Sequence, residues 1–210
     1  MTLLTAMTDA PARAPVPRIG GEGPAPTRTV VAYGFWIFLL SDIIMFSGLF
    51  AAYAVLERNT ADGPIGRELF DLRNVFIETI CLLLSSYTCG LGALCAERQQ
   101  QGRYLVFAAL TFVLGAAFLF VEISEFAGMV AKGAGPWRSA FLSGFFTLVG
   151  MHGAHVTSGL LWLLYMVAQV IAKGLRPHVL RRLLCFSLFW HALDIIWVGV
   201  FTMVYLMGTV

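Results

Sequence analysis

The 210 residues are 59% hydrophobic and 12% charged, with a formal net charge of +2 and a mean hydropathy of +0.80. A water-soluble domain carries about 25% charged residues, so the soluble globular, disordered, fibrous and disulfide-stapled classes are excluded. The small net charge, with basic residues at the ends of apolar runs, also excludes nucleic acid as a partner. The fold class expected is an all-α polytopic membrane protein.

Residues 1–30 are polar and rich in Pro, Gly and Ala, with no apolar core of a secretion signal. They read as a disordered cytoplasmic tail ahead of a transmembrane domain over residues 31–210. A spanning helix needs about 20 largely apolar residues, and five runs meet that length, at about 31–56, 74–96, 104–130, 139–172 and 183–208. None alternates polar and apolar residues with period two, so a β-barrel is not indicated. The pattern predicts a bundle of five transmembrane helices.

Orientation follows from Lys and Arg placement. One side holds Arg13, Arg18, Arg28, Arg98, Arg103, Lys173, Arg176, Arg181 and Arg182; the other holds Arg58, Arg67, Arg73, Lys132 and Arg138. The bias places the N-terminus inside and the C-terminus outside. Spacings of small residues, such as Ser86 to Gly90, Gly92 to Ala96 and Gly150 to Ala154 to Ser158, support a packed bundle. The four cysteines (Cys81, Cys89, Cys95, Cys185) lie in or beside apolar runs without CxxC spacing and read as reduced packing residues. Trp36, Trp137, Trp162, Trp190 and Trp197 are expected at the interfaces or facing lipid.

Eight ionisable residues fall within the apolar runs: Asp42, Glu78, Glu122, Glu125, His152, His155, His191 and Asp194. Five ionised carboxylates facing lipid would cost on the order of 10–15 kcal/mol. They are therefore expected to face the bundle, a watery cavity or a partner, or to carry a proton. Glu122 and Glu125, His152 and His155, and His191 and Asp194 are each i, i+3 neighbours. Three readings stand beside one another: an intramembrane polar network that fixes packing, a proton or ion path, and a di-metal centre. Depth argues against one shared site. At about 1.5 Å per residue, Asp42, His191 and Asp194 fall near the midplane, while Glu78, Glu122 and Glu125 fall near the outer ends of their helices. The expectation is no catalytic, cofactor or metal residue in this chain. A Ser beside a His, such as Ser158 near His155, lacks a placed acid for nucleophilic catalysis.

The stretch GFWIFLLSDIIMFSGLFAAYAVL (34–56), with ETICLLLSSYTCG (78–90), FVEISEF (120–126), GFFTLVGMHGAHVTSGLLW (144–162) and FWHALDIIWVGVFTMVYLMG (189–208), resembles subunit III of bacterial cytochrome o ubiquinol oxidases, in the haem–copper oxidase subunit III family. The likeness runs in order from about residue 31 to 208. It implies a five-helix bundle similar to the last five helices of the seven-helix subunit III of cytochrome c oxidases. Asp42 matches a membrane carboxylate beside a lipid-filled cleft in that branch, and His152, His155, His191 and Asp194 match the HGxHV and FWHxLD blocks. Met151 stands where the family pattern leads to Thr.

The resemblance further implies a subunit with no haem or copper of its own, both expected in subunit I, which oxidises ubiquinol, reduces oxygen and pumps protons. Subunit I, subunit II, a small subunit IV and membrane phospholipids are the implied partners, in the bacterial inner membrane with the C-terminus periplasmic. A five-helix protein associated with nitric oxide reductase, or a stand-alone membrane di-metal enzyme, is the alternative.

Overall fold

In the computed structural model, residues 27–57, 59–60 and 72–209 are described. The tail expected over residues 1–30 lies almost wholly outside them, as do Arg58 and Arg67 of the first loop. Five helices follow in chain order: α1 (Thr27–Leu56), α2 (Leu72–Glu97), α3 (Gln101–Ala131), α4 (Ala140–Lys173) and α5 (Pro177–Val200). A π turn, Phe201–Leu206, and a short 3₁₀ turn, Met207–Thr209, extend α5. All five are long and apolar enough to cross a membrane, and no strand occurs among the described residues.

The ends follow local chemistry. Ser139 caps α4, its hydroxyl accepting from the Leu142 amide. Gly174 ends α4 at a φ of 69°, in the region that favours glycine. Pro177 occupies the first turn of α5, where its missing N–H costs nothing. The fifth helix thus starts six residues before the apolar run at 183, and its first two turns carry His178, Arg181 and Arg182 ahead of that run.

Antiparallel α2 and α3 form the most extensive pairing; α3 packs on α4, α4 on α5 and α1, and α5 also on α1 and α2. The interior is filled by aromatic side chains, with Phe46, Phe118, Phe145, Trp190, Trp197 and Tyr205 all nearly inaccessible. Contrary to the expectation that all five tryptophans face lipid or an interface, Trp190 and Trp197 are core residues. Their indole N–H groups donate to Ser85 Oγ (3.1 Å) and Thr79 Oγ1 (3.1 Å), which lets two bulky rings enter a dry interior without an orphaned donor. Trp137 and Trp36 are exposed.

The tight crossings are not at most of the spacings noted in the sequence. An added Cβ on Gly90 comes no nearer than 3.8 Å to a neighbour and on Gly150 no nearer than 3.7 Å, whereas at Gly159 it would stand 2.7 Å from Trp190, and at Gly115 3.0 Å from Leu160. These two glycines admit the Trp190 ring between α3 and α4.

Candidate functional site: two polar clusters in the membrane interior

The eight ionisable residues do not converge on one point. Near the ends of α2 and α3 that lead into and out of the neighbouring loops, Glu78, Glu122 and Glu125 lie within electrostatic reach of one another. Glu78 and Glu122 are buried, and neither has a hydrogen-bond partner for its carboxyl oxygens among the described residues. Glu125 is half-buried and lines a groove of about 340 Å³ shared with Asn74, Ser124 and Lys132. Tyr205, brought inward by the π turn after α5, also lies within electrostatic reach of all three glutamates. A widened turn of this kind re-aims side chains that a regular helix would place elsewhere.

His152 sits beside this group. It is fully buried, packs against Phe118 and Trp197 at ring-centroid distances of 5.7 Å and 5.0 Å, and its Nε2 donates to the Leu193 carbonyl at 3.2 Å. The next residue, Gly153, accepts the Glu122 carboxyl against its Cα. His155 is separate: its Nδ1 donates to the Met151 carbonyl one turn back at 2.9 Å, and its ring meets Phe46 at 5.2 Å. Met151 itself is partly exposed.

The second cluster joins the middles of α2 and α5. Ser86 Oγ lies 2.6 Å from Nδ1 of His191, and Asp194 lies within electrostatic reach of the same ring, its Oδ1 without a hydrogen-bond partner among the described residues. Asp42 belongs to neither cluster and is half-buried on α1. The i, i+3 pairs therefore behave differently: His191 and Asp194 act together, whereas His152 and His155 turn to separate partners.

Sequence reasoning placed Ser86 only in a packing motif and passed over Ser85, Thr79 and Thr111. Ser85 donates to the Thr111 carbonyl (3.1 Å), and the Thr88 and Thr111 hydroxyls are 2.9 Å apart. The signal available was density of hydroxyls on one span: Thr79, Ser85 and Ser86 face two tryptophans and a histidine of α5, while Thr88 turns to Thr111 of α3. Among the described residues, no group of three or more His, Cys, Asp or Glu side chains is arranged to hold a metal ion. What the geometry can do is cross-link helices by hydrogen bonds in a medium that offers none, and present polar atoms to a neighbour.

The cytochrome c oxidase subunit III family model matches residues 18–209. The chain is 52% identical over 176 residues to cytochrome bo(3) ubiquinol oxidase subunit 3 of Pseudomonas aeruginosa, covering 84% of each protein. It is 49% identical over 175 residues to the protein of the same name from Pseudomonas putida, covering 83% of this chain and 84% of that one. To quinol oxidase subunit 3 of Bacillus subtilis it is 44% identical over 175 residues, covering 83% and 86%. With five spans in one bundle and a family match reaching from the segment before α1 to the end of the last turn, the chain belongs to the cytochrome c oxidase subunit III family.

Proposed function

We propose that the chain is subunit III of a haem–copper quinol oxidase of the aerobic respiratory chain. The observation that supports this most is the 44–52% identity, over more than four fifths of the chain, to proteins named as subunit 3 of quinol oxidases. In this reading the chain is non-catalytic and sustains assembly and stability of subunit I, where haem and copper oxidise ubiquinol and reduce oxygen to water with proton pumping. Subunit II, a small subunit IV and membrane phospholipids complete its surroundings in the bacterial inner membrane. The N-terminus is cytoplasmic and the C-terminus periplasmic. Buried hydrogen bonds such as Trp197 to Thr79 suit a scaffold, because they set helix register without any reacting group.

The test is removal of the chain. Membranes lacking it are expected to hold less assembled haem–copper subunit, while the complexes that remain turn over quinol at an unchanged rate per haem. Full assembly with a turnover loss of tenfold or more would refute the supporting role and assign the chain a part in the chemistry.

A further inference from the structure

Where α2, α3 and α5 meet, towards the start of α3, a cavity of about 20 Å³ remains among Cys89, Gly92, Tyr104, Thr111, Leu163 and Ser187. One water molecule needs about 10–15 Å³ of such space, so the cavity holds one water and is too small for an acyl chain or a ring. The Tyr104 ring reaches it from the first turn of α3. It lies against Gly92 of α2, where an added Cβ would stand 3.8 Å from the ring.

One polar atom of the wall is unanswered. Tyr104 is only 4% exposed, and its hydroxyl has no hydrogen-bond partner among the described residues. A buried phenol O–H without a partner is costly, and native structures nearly always supply one, from protein or from ordered water. The neighbouring polar groups stand near without closing the bond themselves. Tyr104 lies within electrostatic reach of Cys89, and Cys89 has Ser187 of α5 as a neighbour. Thr111 is already engaged, donating to the Phe107 carbonyl and paired with the Thr88 hydroxyl. The wall therefore offers a hydroxyl on α3, a thiol on α2 and a hydroxyl on α5, and two to four polar partners are what a buried water requires.

We propose that a single ordered water occupies this cavity and bridges the Tyr104 hydroxyl on α3 to Cys89 on α2 and Ser187 on α5. Size excludes larger occupants, and wall chemistry decides against an empty space, because cavities that stay dry are apolar throughout. The buried, unpartnered Tyr104 hydroxyl supplies the anchor. In hydrocarbon no bulk water competes for these groups, so the bridge ties three helices at one point. Direct bonds from Trp190 to Ser85 and from Trp197 to Thr79 already join α5 to α2. The bridging water brings the first turn of α3 into the same network. Every group in the site belongs to this chain, so the site is independent of the quinol-oxidase reading above.

The experiment is a cryo-EM map of the intact assembly, purified through a tag on this chain, at a resolution that shows other buried waters. Density in the cavity within hydrogen-bond distance of Tyr104 Oη is expected. A dry cavity, an acyl chain or side chain in it, or a Tyr104 hydroxyl bonded directly to protein overturns the proposal. Thermal unfolding of variants of the same assembly gives a second readout. Cys89→Val puts branched apolar bulk where the water sits. On the wild-type background it is expected to lower the unfolding midpoint by a few degrees, because it displaces the water and orphans the Tyr104 hydroxyl. On a Tyr104→Phe background there is no hydroxyl to orphan, and Cys89→Val is expected to leave the midpoint unchanged or raise it. An equal fall on both backgrounds, the mark of a steric clash, overturns the bridge. No fall on the wild-type background, the mark of a dry void being filled, overturns it as well.

Discussion

A Cβ on Gly153 would stand 2.7 Å from Oε1 and 2.9 Å from Oε2 of Glu122, so the glycine on α4 is the seat of a carboxyl from α3. This contact gives the HGxHV block a physical requirement: the residue after His152 must be small enough for Glu122 to enter. Gly153→Ala is expected to displace Glu122 and cost about 1–3 kcal/mol, read as thermal unfolding of the purified complex. Glu122→Ala in the Gly153→Ala background should recover part of the loss, because the two residues are in contact and their effects are not additive. Strict additivity would contradict the seat.

The Trp197–Thr79 bond makes an asymmetric prediction. Thr79→Val keeps the shape and removes the acceptor, leaving a buried indole N–H alone at a cost of about 1–3 kcal/mol. Thr79→Ser retains the hydroxyl and should lose clearly less. Equal losses for the two substitutions, measured by thermal unfolding, would show that the methyl group matters as much as the bond and would contradict this account.

How far the fold could be read from the sequence depends on the solvent. In hydrocarbon each spanning segment must satisfy its own backbone, so long apolar runs translate directly into helices, and the five predicted runs correspond to α1–α5. The runs could not show which polar residues meet. Glu78 on α2 and Glu122 on α3 approach one another only because of the way the helices are placed around the bundle. His152 and His155 look like a pair at i, i+3, yet one bonds Leu193 across the bundle and the other bonds its own helix. Nor did hydropathy announce the π turn that brings Tyr205 inward, since a widened turn depends on local packing and not on a Pro or Gly in the segment.

Asp42 discriminates a packing role from proton relay. It is half-buried on α1, apart from both polar clusters. Asp42→Asn preserves shape and hydrogen-bonding capacity but cannot exchange a proton. Oxygen consumption and proton release by the intact oxidase are expected to stay near wild-type, while Asp42→Leu is expected to loosen the complex. A tenfold or greater fall in turnover for Asp42→Asn would assign it to a proton path.

The orientation argued from nine basic residues against five predicts opposite locations for reporters fused at residue 5 and after Val210. A cytoplasmic reporter should be active at the first position and a periplasmic one at the second. Activity of one type at both positions would contradict an odd number of spans.

The most direct measurement is the composition of the complex purified through a tag on this chain, taken as subunit masses with haem and metal per chain, alongside the same chain expressed alone. The account predicts a large haem- and copper-bearing partner in the complex, with no Soret absorbance and no stoichiometric copper or iron in the isolated chain. One metal per isolated chain, lost on His152→Ala, would contradict it.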